Sequence, residues 1–249
     1  MTRLALGAAG LLLLACAGAL AVMPARWLMA ALPAAWPLAV VDAAGTIWSG
    51  SATIALGAPG RRRTLAEPLR WRVSLAGGPR VLASHPWLGG ALALAPGWRG
   101  IKVSAQTLQL PASALIALHP AMSTIGPGGE LLLSWPASVI GAGGPPPGAK
   151  LVDIQWRNAS AALTPLRPMG SYTLAITQGA QDRIDLALST QQGPLQLQGK
   201  GTLTGSGGLQ FDGAAQADPA ANADIRAALD DLLAALGPRD GNRTLLRFR

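Results

Sequence analysis

Hydrophobic and polar positions along this chain fall into two regimes. From Leu4 to Met23 there are twenty residues without a charge. As a helix such a run spans about 30 Å, the thickness of a bilayer's hydrocarbon core. Beyond it, apolar and polar residues alternate in short runs bounded by Gly and Pro, the pattern of half-buried strands. The first group of expected strands covers Leu38–Ala43, Thr46–Leu56, Leu69–Leu75, Trp87–Ala95, Gly100–Leu110 and Glu130–Trp135. A second group follows at Lys150–Leu163, Ser171–Gln178, Arg183–Thr190, Leu195–Thr204 and Leu209–Ala217, with Leu245–Phe248 as a last edge strand. Gly77-Gly78-Pro79, Gly193-Pro194 and Gly205–Gly208 separate neighbours at hairpin spacing.

Two helices interrupt the strands. One is short, near 111–118. The other covers 219–236, with Asp218 as N-cap, Pro219 in the first turn and Gly237-Pro238 as the stop. Ile225, Leu229, Leu232, Leu233 and Leu236 repeat at three- and four-residue steps and form its buried face. The fold class expected is therefore mainly β: an N-terminal transmembrane helix, then an antiparallel β-rich domain built as an extended curved sheet or a sandwich. In domain terms, 1–3 is a cytoplasmic tail, 4–25 a signal-anchor and 26–249 an extracytoplasmic β-rich domain. The Gly/Pro stretch Gly141–Gly148 divides that domain into two halves that echo each other: Val41-Asp42, Trp48 and Ser51-Ala52 against Val152-Asp153, Trp156 and Ser160-Ala161. Internal duplication and chance similarity both account for the echo.

Two rivals to the anchor are Ala19-Leu20-Ala21 as a signal-peptidase site and Leu13–Cys16 as a lipobox. The chain stays apolar after each candidate cut, which favours the uncleaved anchor. Trp27 and Trp36 then sit where an interfacial aromatic belt belongs.

Composition changes this picture little. The net charge is +8 and one Cys excludes a disulfide framework. Arg61-Arg62-Arg63 is the only charge run and reads as a solvated loop or a contact for anionic lipid headgroups or a partner. It has no aromatic stacking platform, so nucleic acid is not an expected partner. His85 and His119 each precede Pro and carry no metal-ligand spacing. Asp42 and Asp153 are single acids at strand starts, read as solvated or turn-forming. No nucleophile elbow, phosphate loop or carboxylate pair is present. The expectation is a protein with no catalytic residue, no cofactor and no small-molecule substrate. Six tryptophans, Trp48, Trp71, Trp87, Trp98, Trp135 and Trp156, lie in or beside strands and are expected to pack in the core or on sheet faces.

One stretch carries a resemblance. Gly45-Thr46-Ile47-Trp48-Ser49-Gly50-Ser51-Ala52, followed by Leu69-Arg70-Trp71, has the form G-T-[ILV]-W-x-G-x-A then L-x-W. Leu151–Trp156, Pro168-Met169-Gly170-Ser171-Tyr172, and Leu232–Gly237 with Gly241-Asn242-Arg243 continue it to the C-terminus. Together these resemble the type II secretion system protein N family. Arg167-Pro168 departs from the family's usual turn.

The resemblance implies an accessory component of the machine that exports folded proteins from the periplasm. It implies a single-pass inner-membrane protein with its N-terminus in the cytoplasm and its domain in the periplasm. Its partners would be other secretion components of the inner-membrane platform or pseudopilus, and inner-membrane lipid. The motif residues Gly45, Thr46, Trp48, Gly50, Trp71, Trp156, Gly170 and Tyr172 read as structural, with Gly50 making room for a Trp side chain. The alternative is an AsmA-like envelope protein that handles lipid in an apolar sheet groove, since G-T-x-W-x-G occurs there too.

Overall fold

The computed structural model describes residues 18–19, 21–27, 38–57, 62–117, 121–141, 143–181, 183–205 and 207–248. Most of the expected span 4–25, including Cys16 and the lipobox, lies outside the described residues. Among the described residues no helix is long and apolar enough to cross a membrane. His119, Arg61 and Trp36 also fall outside. The chain divides into two compact units, 1–85 and 86–249.

The first unit is an antiparallel sheet. Its strands are β1 (Leu38–Gly45), β2 (Ser49–Leu56), β3 (Arg63–Thr64), β4 (Leu69–Ser74) and β5 (Arg80–Ser84). β2 pairs with β1, β3 and β4, and β4 pairs with β5. The β4–β5 hairpin turns at Gly77 and Gly78, both at positive φ, where only glycine avoids strain. Ala52, Ile54, Ala55 and Ala83 form its buried side.

In the second unit, β6 (Leu92–Gly97), β7 (Gly100–Val103) and β10 (Ser138–Gly141) make a short ribbon with β7 in the middle. Nine further strands form one antiparallel sheet. They are β8 (Gln106–Pro111), β9 (Gly128–Trp135), β11 (Lys150–Ser160), β12 (Gly170–Gln178), β13 (Ile184–Gln192), β14 (Leu195–Leu203), β15 (Leu209–Ala217), β16 (Arg239–Asp240) and β17 (Arg243–Phe248). Their order is β16-β17-β15-β14-β13-β12-β11-β9-β8. The Gly/Pro stretch 141–148 joins β10 to β11 within this unit.

The alternation read from sequence becomes two chemically distinct sheet faces. Leu108, Leu133, Ile154, Leu174 and Leu188 are cross-strand partners and form one apolar row. The adjacent row, on the other face, runs Thr107, Ser134, Asp153, Ala175, Ala187, Lys200, Asp212 and Arg247. Partners on one face stabilise each other, so the period-two pattern fixes the register.

The core sits where α2 (Ala223–Leu236) covers the apolar face. Leu229, Leu232 and Leu233 are buried with Tyr172, Leu195, Ala215 and Leu246, and Ile225 and Leu236 pack at the margin. All five residues of the expected helix face are therefore in this cluster. Phe211 lies across the β14–β15 ladder, against Gly199, Gly201 and Gly213. A Cβ at any of the three would come within 2.9 Å of its ring.

Several boundaries differ from expectation. The 219–236 helix starts at Ala223 instead. Asp218 closes a turn by accepting from the Ala220 N–H at 2.9 Å, and Asn222 is the N-cap, accepting from the Ile225 N–H at 2.9 Å. The helix near 111–118 is a 3-10 turn over Ala112–Ala117, followed by a short α1 (Ala121–Ile125). Gly100–Leu110 is two strands in different ladders. Apolar positions are odd at Val103 and Ala105 but even at Leu108 and Leu110, so the alternation slips phase where the chain changes sheets. Ser104 anchors the exchange by bonding both the N–H and the carbonyl of Ala93 at 3.0 Å. The strand expected at Trp87–Ala95 begins only at Leu92. Residues 87–89 instead shield the edge of β8, through the Gln109 N–H to Trp87 oxygen and Gly89 N–H to Thr107 oxygen bonds.

Candidate functional site

The motif residues of the first unit converge on the β1–β2 turn. Gly45 and Gly50 face each other across the hairpin, and a Cβ on Gly45 would lie 2.8 Å from the Gly50 Cα. The Thr46 hydroxyl accepts from the N–H groups of Trp48 and Ser49, both at 3.3 Å, and locks the turn. Trp71, the cross-strand partner of Gly50, lays its indole on that glycine and donates Nε1–H to the Ile47 carbonyl at 3.2 Å. Trp48 itself is largely outside this contact, at 38% exposure. The Thr46 hydroxyl and the Trp71 indole N–H thus build and brace a turn.

A second cluster in the other unit joins Trp156, Gly170 and Tyr172. Trp156 and Tyr172 are cross-strand partners with ring centroids 5.9 Å apart, tilted by 57°. Trp156 donates its indole N–H to the Gly128 carbonyl at 2.9 Å. The Tyr172 hydroxyl reaches the Met169 carbonyl at 3.2 Å and the Leu195 carbonyl at 3.1 Å. Gly170 lies against that hydroxyl, and a Cβ there would come within 2.6 Å of it. The Arg167–Pro168 bond just before is cis. Thus the two motif groups lie in separate compact units, and each braces a hairpin or loop. In the proposed echo of the two halves, Asp42 lies on β1 and Trp48 in the turn after it. Asp153 and Trp156, by contrast, share β11.

Burial pushes the Tyr172 hydroxyl above the usual tyrosine range, because the phenolate would lose water without gaining a cation. The folded pKa is raised, so the folded chain holds its proton more tightly than the unfolded one. Tyr172 therefore adds stability below about pH 10 that is progressively lost above it. The chain has one tyrosine, so tyrosinate absorbance in the ultraviolet reports this group alone. The native chain is expected to give no tyrosinate signal about one pH unit above the ordinary value, and the urea-unfolded chain to titrate at that value. A native titration matching the unfolded one would refute the burial argument.

The remaining candidates take ordinary places. Asp153 is not the solvated acid expected from sequence. Its carboxylate is mostly buried and one oxygen pairs with Lys150 Nζ at 2.5 Å. Asp42 is exposed on a bulged part of β1. His85 Nε2 lies 3.1 Å from the Glu67 carbonyl oxygen. Among the described residues no group of three His, Cys, Asp or Glu side chains could hold a metal ion. A cavity of about 1040 Å³ opens where β10 leaves β9 at Pro136, walled by Trp135, Val139, Leu151 and the basic Arg99 and Lys102. One tryptophan contradicts the packing expectation outright. Trp98, in the β6–β7 turn, is 99% exposed. The signal available in sequence was its place between Gly97 and Gly100, at a hairpin tip.

The molecule is thus an antiparallel β-protein whose motif residues make turns and brace strands. The chain belongs to the type II secretion system protein N family, whose family model matches residues 37–246. No curated protein and no solved structure matches it.

Proposed function

We propose that this protein is an accessory inner-membrane component of the type II secretion machine and supports export of folded proteins through protein–protein contacts in the periplasm. The family match over residues 37–246 carries this reading. Residues 4–25 are its single-pass anchor, with the N-terminus cytoplasmic. Its role is contact and not catalysis, and its partners are components of the inner-membrane platform or the pseudopilus. One feature supports contact as the mechanism. The face of the nine-stranded sheet that runs from Thr107 to Arg247 carries hydroxyl and charged side chains that a partner surface can bond.

Site-specific crosslinking in the native envelope, from probes at Gln198 on β14 and Asp212 on β15, tests it. Adducts with a platform or pseudopilus protein are expected. Recovery of adducts that contain no secretion component would count decisively against the proposal.

A further inference from the structure

The ribbon of β6, β7 and β10 has a surface that packing among the described residues does not account for. Trp98 stands almost wholly in solvent at the β6–β7 tip, and Ile101, Val139 and Ile140 are 52%, 45% and 66% exposed. Large apolar groups left in water cost roughly 25 cal/mol per Å² of surface that could be buried. These side chains are not on one face. Ile101 and Ile140 are cross-strand partners, and Val139 pairs with Lys102 on the opposite face. The ribbon therefore carries apolar groups on both sides and an indole at its end.

Charge around the ribbon is of one sign. The stretches 86–103 and 136–149 contain Arg99 and Lys102 and not one carboxylate. No ion pair involves either cation among the described residues.

We propose that this ribbon docks into the surface of an anionic phospholipid bilayer. Trp98 enters the interface, Ile101, Val139 and Ile140 follow it to the acyl boundary, and Arg99 and Lys102 bind headgroup phosphates. Indole is favoured at the headgroup level because it offers an apolar body with a polar N–H. Long basic side chains can bury their stems while their charges stay with the phosphates. The two-sided distribution chooses the occupant. A folded protein surface would cover one face and leave the other wet, whereas a fluid interface closes around both. This inference does not depend on the secretion assignment, and the lipid contact it specifies is at a defined place.

The test uses the full chain reconstituted in bilayers, so that any other membrane attachment is present in every sample. The emission of Trp98 is taken as the difference between the wild type and Trp98→Phe, a replacement at a solvent-exposed site. In bilayers of phosphatidylcholine and phosphatidylglycerol with brominated acyl chains, the Trp98 difference signal is expected to be quenched. In phosphatidylcholine alone it is expected to be mostly spared. A basic residue near an anionic membrane contributes about 1 kcal/mol, so Arg99→Gln with Lys102→Gln should move the ribbon about thirtyfold toward the undocked state. Raised salt should act in the same direction.

Three outcomes overturn the proposal. One is an unquenched Trp98 signal in anionic bilayers. Another is undiminished quenching in the double variant. The third is quenching reproduced without bilayers by monomeric brominated lysophosphatidylglycerol, which would mark a single-lipid site in the neighbouring cavity. Failure of these arms leaves the secretion proposal untouched, since that rests on crosslinked partners.

Discussion

Leu232→Ala is expected to lower the stability of the second unit by about 3–5 kcal/mol, the upper part of the range for buried Leu truncations. Leu232 is 2% exposed and lies in the cluster of Leu195, Leu229, Leu233 and Leu246. The cost has two parts, the lost transfer energy of the methyl groups and the cavity left behind. The cavity should persist because both walls are rigid. One wall is the β14–β15–β17 ladder and the other is α2, whose Ala228 carbonyl is held by the Thr164 hydroxyl at 2.7 Å. A loss of that size is a large share of a domain's total stability. Leu75→Ala is the control, at 72% exposure, and should change stability by less than about 0.5 kcal/mol. Tryptophans occur in both units, so the transition is best followed by hydrogen exchange of α2 amides. Exchange of α2 unchanged in Leu232→Ala would show that the helix does not seal this core.

Which features were legible in the sequence follows from how local their causes are. The paired strands β13 and β14 announce themselves because Ile184, Leu186 and Leu188, and then Leu195 and Leu197, alternate with polar or small residues at period two. The face of α2 was legible for the same reason, at period 3.6. Its start was not. Asp218-Pro219 has the form of a helix start, but the Asx turn at Asp218 hands the capping role to Asn222 four residues later. β10 was missed because Val139 and Ile140 are adjacent, so the ribbon exposes both its faces and no alternation arises. The break between β7 and β8 was written in the phase slip after Ala105, a signal weaker than the continuous polarity contrast around it.

The motif sites divide in the same way. That Gly50 admits an indole was readable from residue size. That Trp71 supplies it depends on the β2–β4 register, which is a tertiary fact. The flat seat of Phe211 on Gly199, Gly201 and Gly213 was hidden, since three glycines in strands read only as weak strand formers. The exposure of Trp98 was hidden by the opposite route, because composition argued that so few aromatics must all pack inside.

Gly50→Ala is expected to cost about 3 kcal/mol, the upper end of the overpacking range, through two separate collisions. The added Cβ would lie 2.6 Å from Trp71 Cζ2 and would also press on the Ala44 carbonyl oxygen. Trp71 can rotate away, but it then gives up its indole bond to the Ile47 carbonyl. The Ala44 carbonyl belongs to the β1–β2 ladder, which can yield only by opening next to the Thr46 turn. A double-mutant cycle separates the two. In a Trp71→Leu background the side-chain collision is gone, so Gly50→Ala should cost less there, with a coupling of about 1–2 kcal/mol. The residual cost belongs to the backbone. Gly205→Ala is the neutral comparison, because nothing lies within 4 Å of a Cβ there, and its effect should stay inside about 0.5 kcal/mol. Equal costs of Gly50→Ala in both backgrounds would assign the whole constraint to the hairpin backbone and remove Trp71 from it. A neutral Gly50→Ala would dismiss the close-packed turn altogether, and with it the structural reading of the G-T-x-W-x-G motif in this chain.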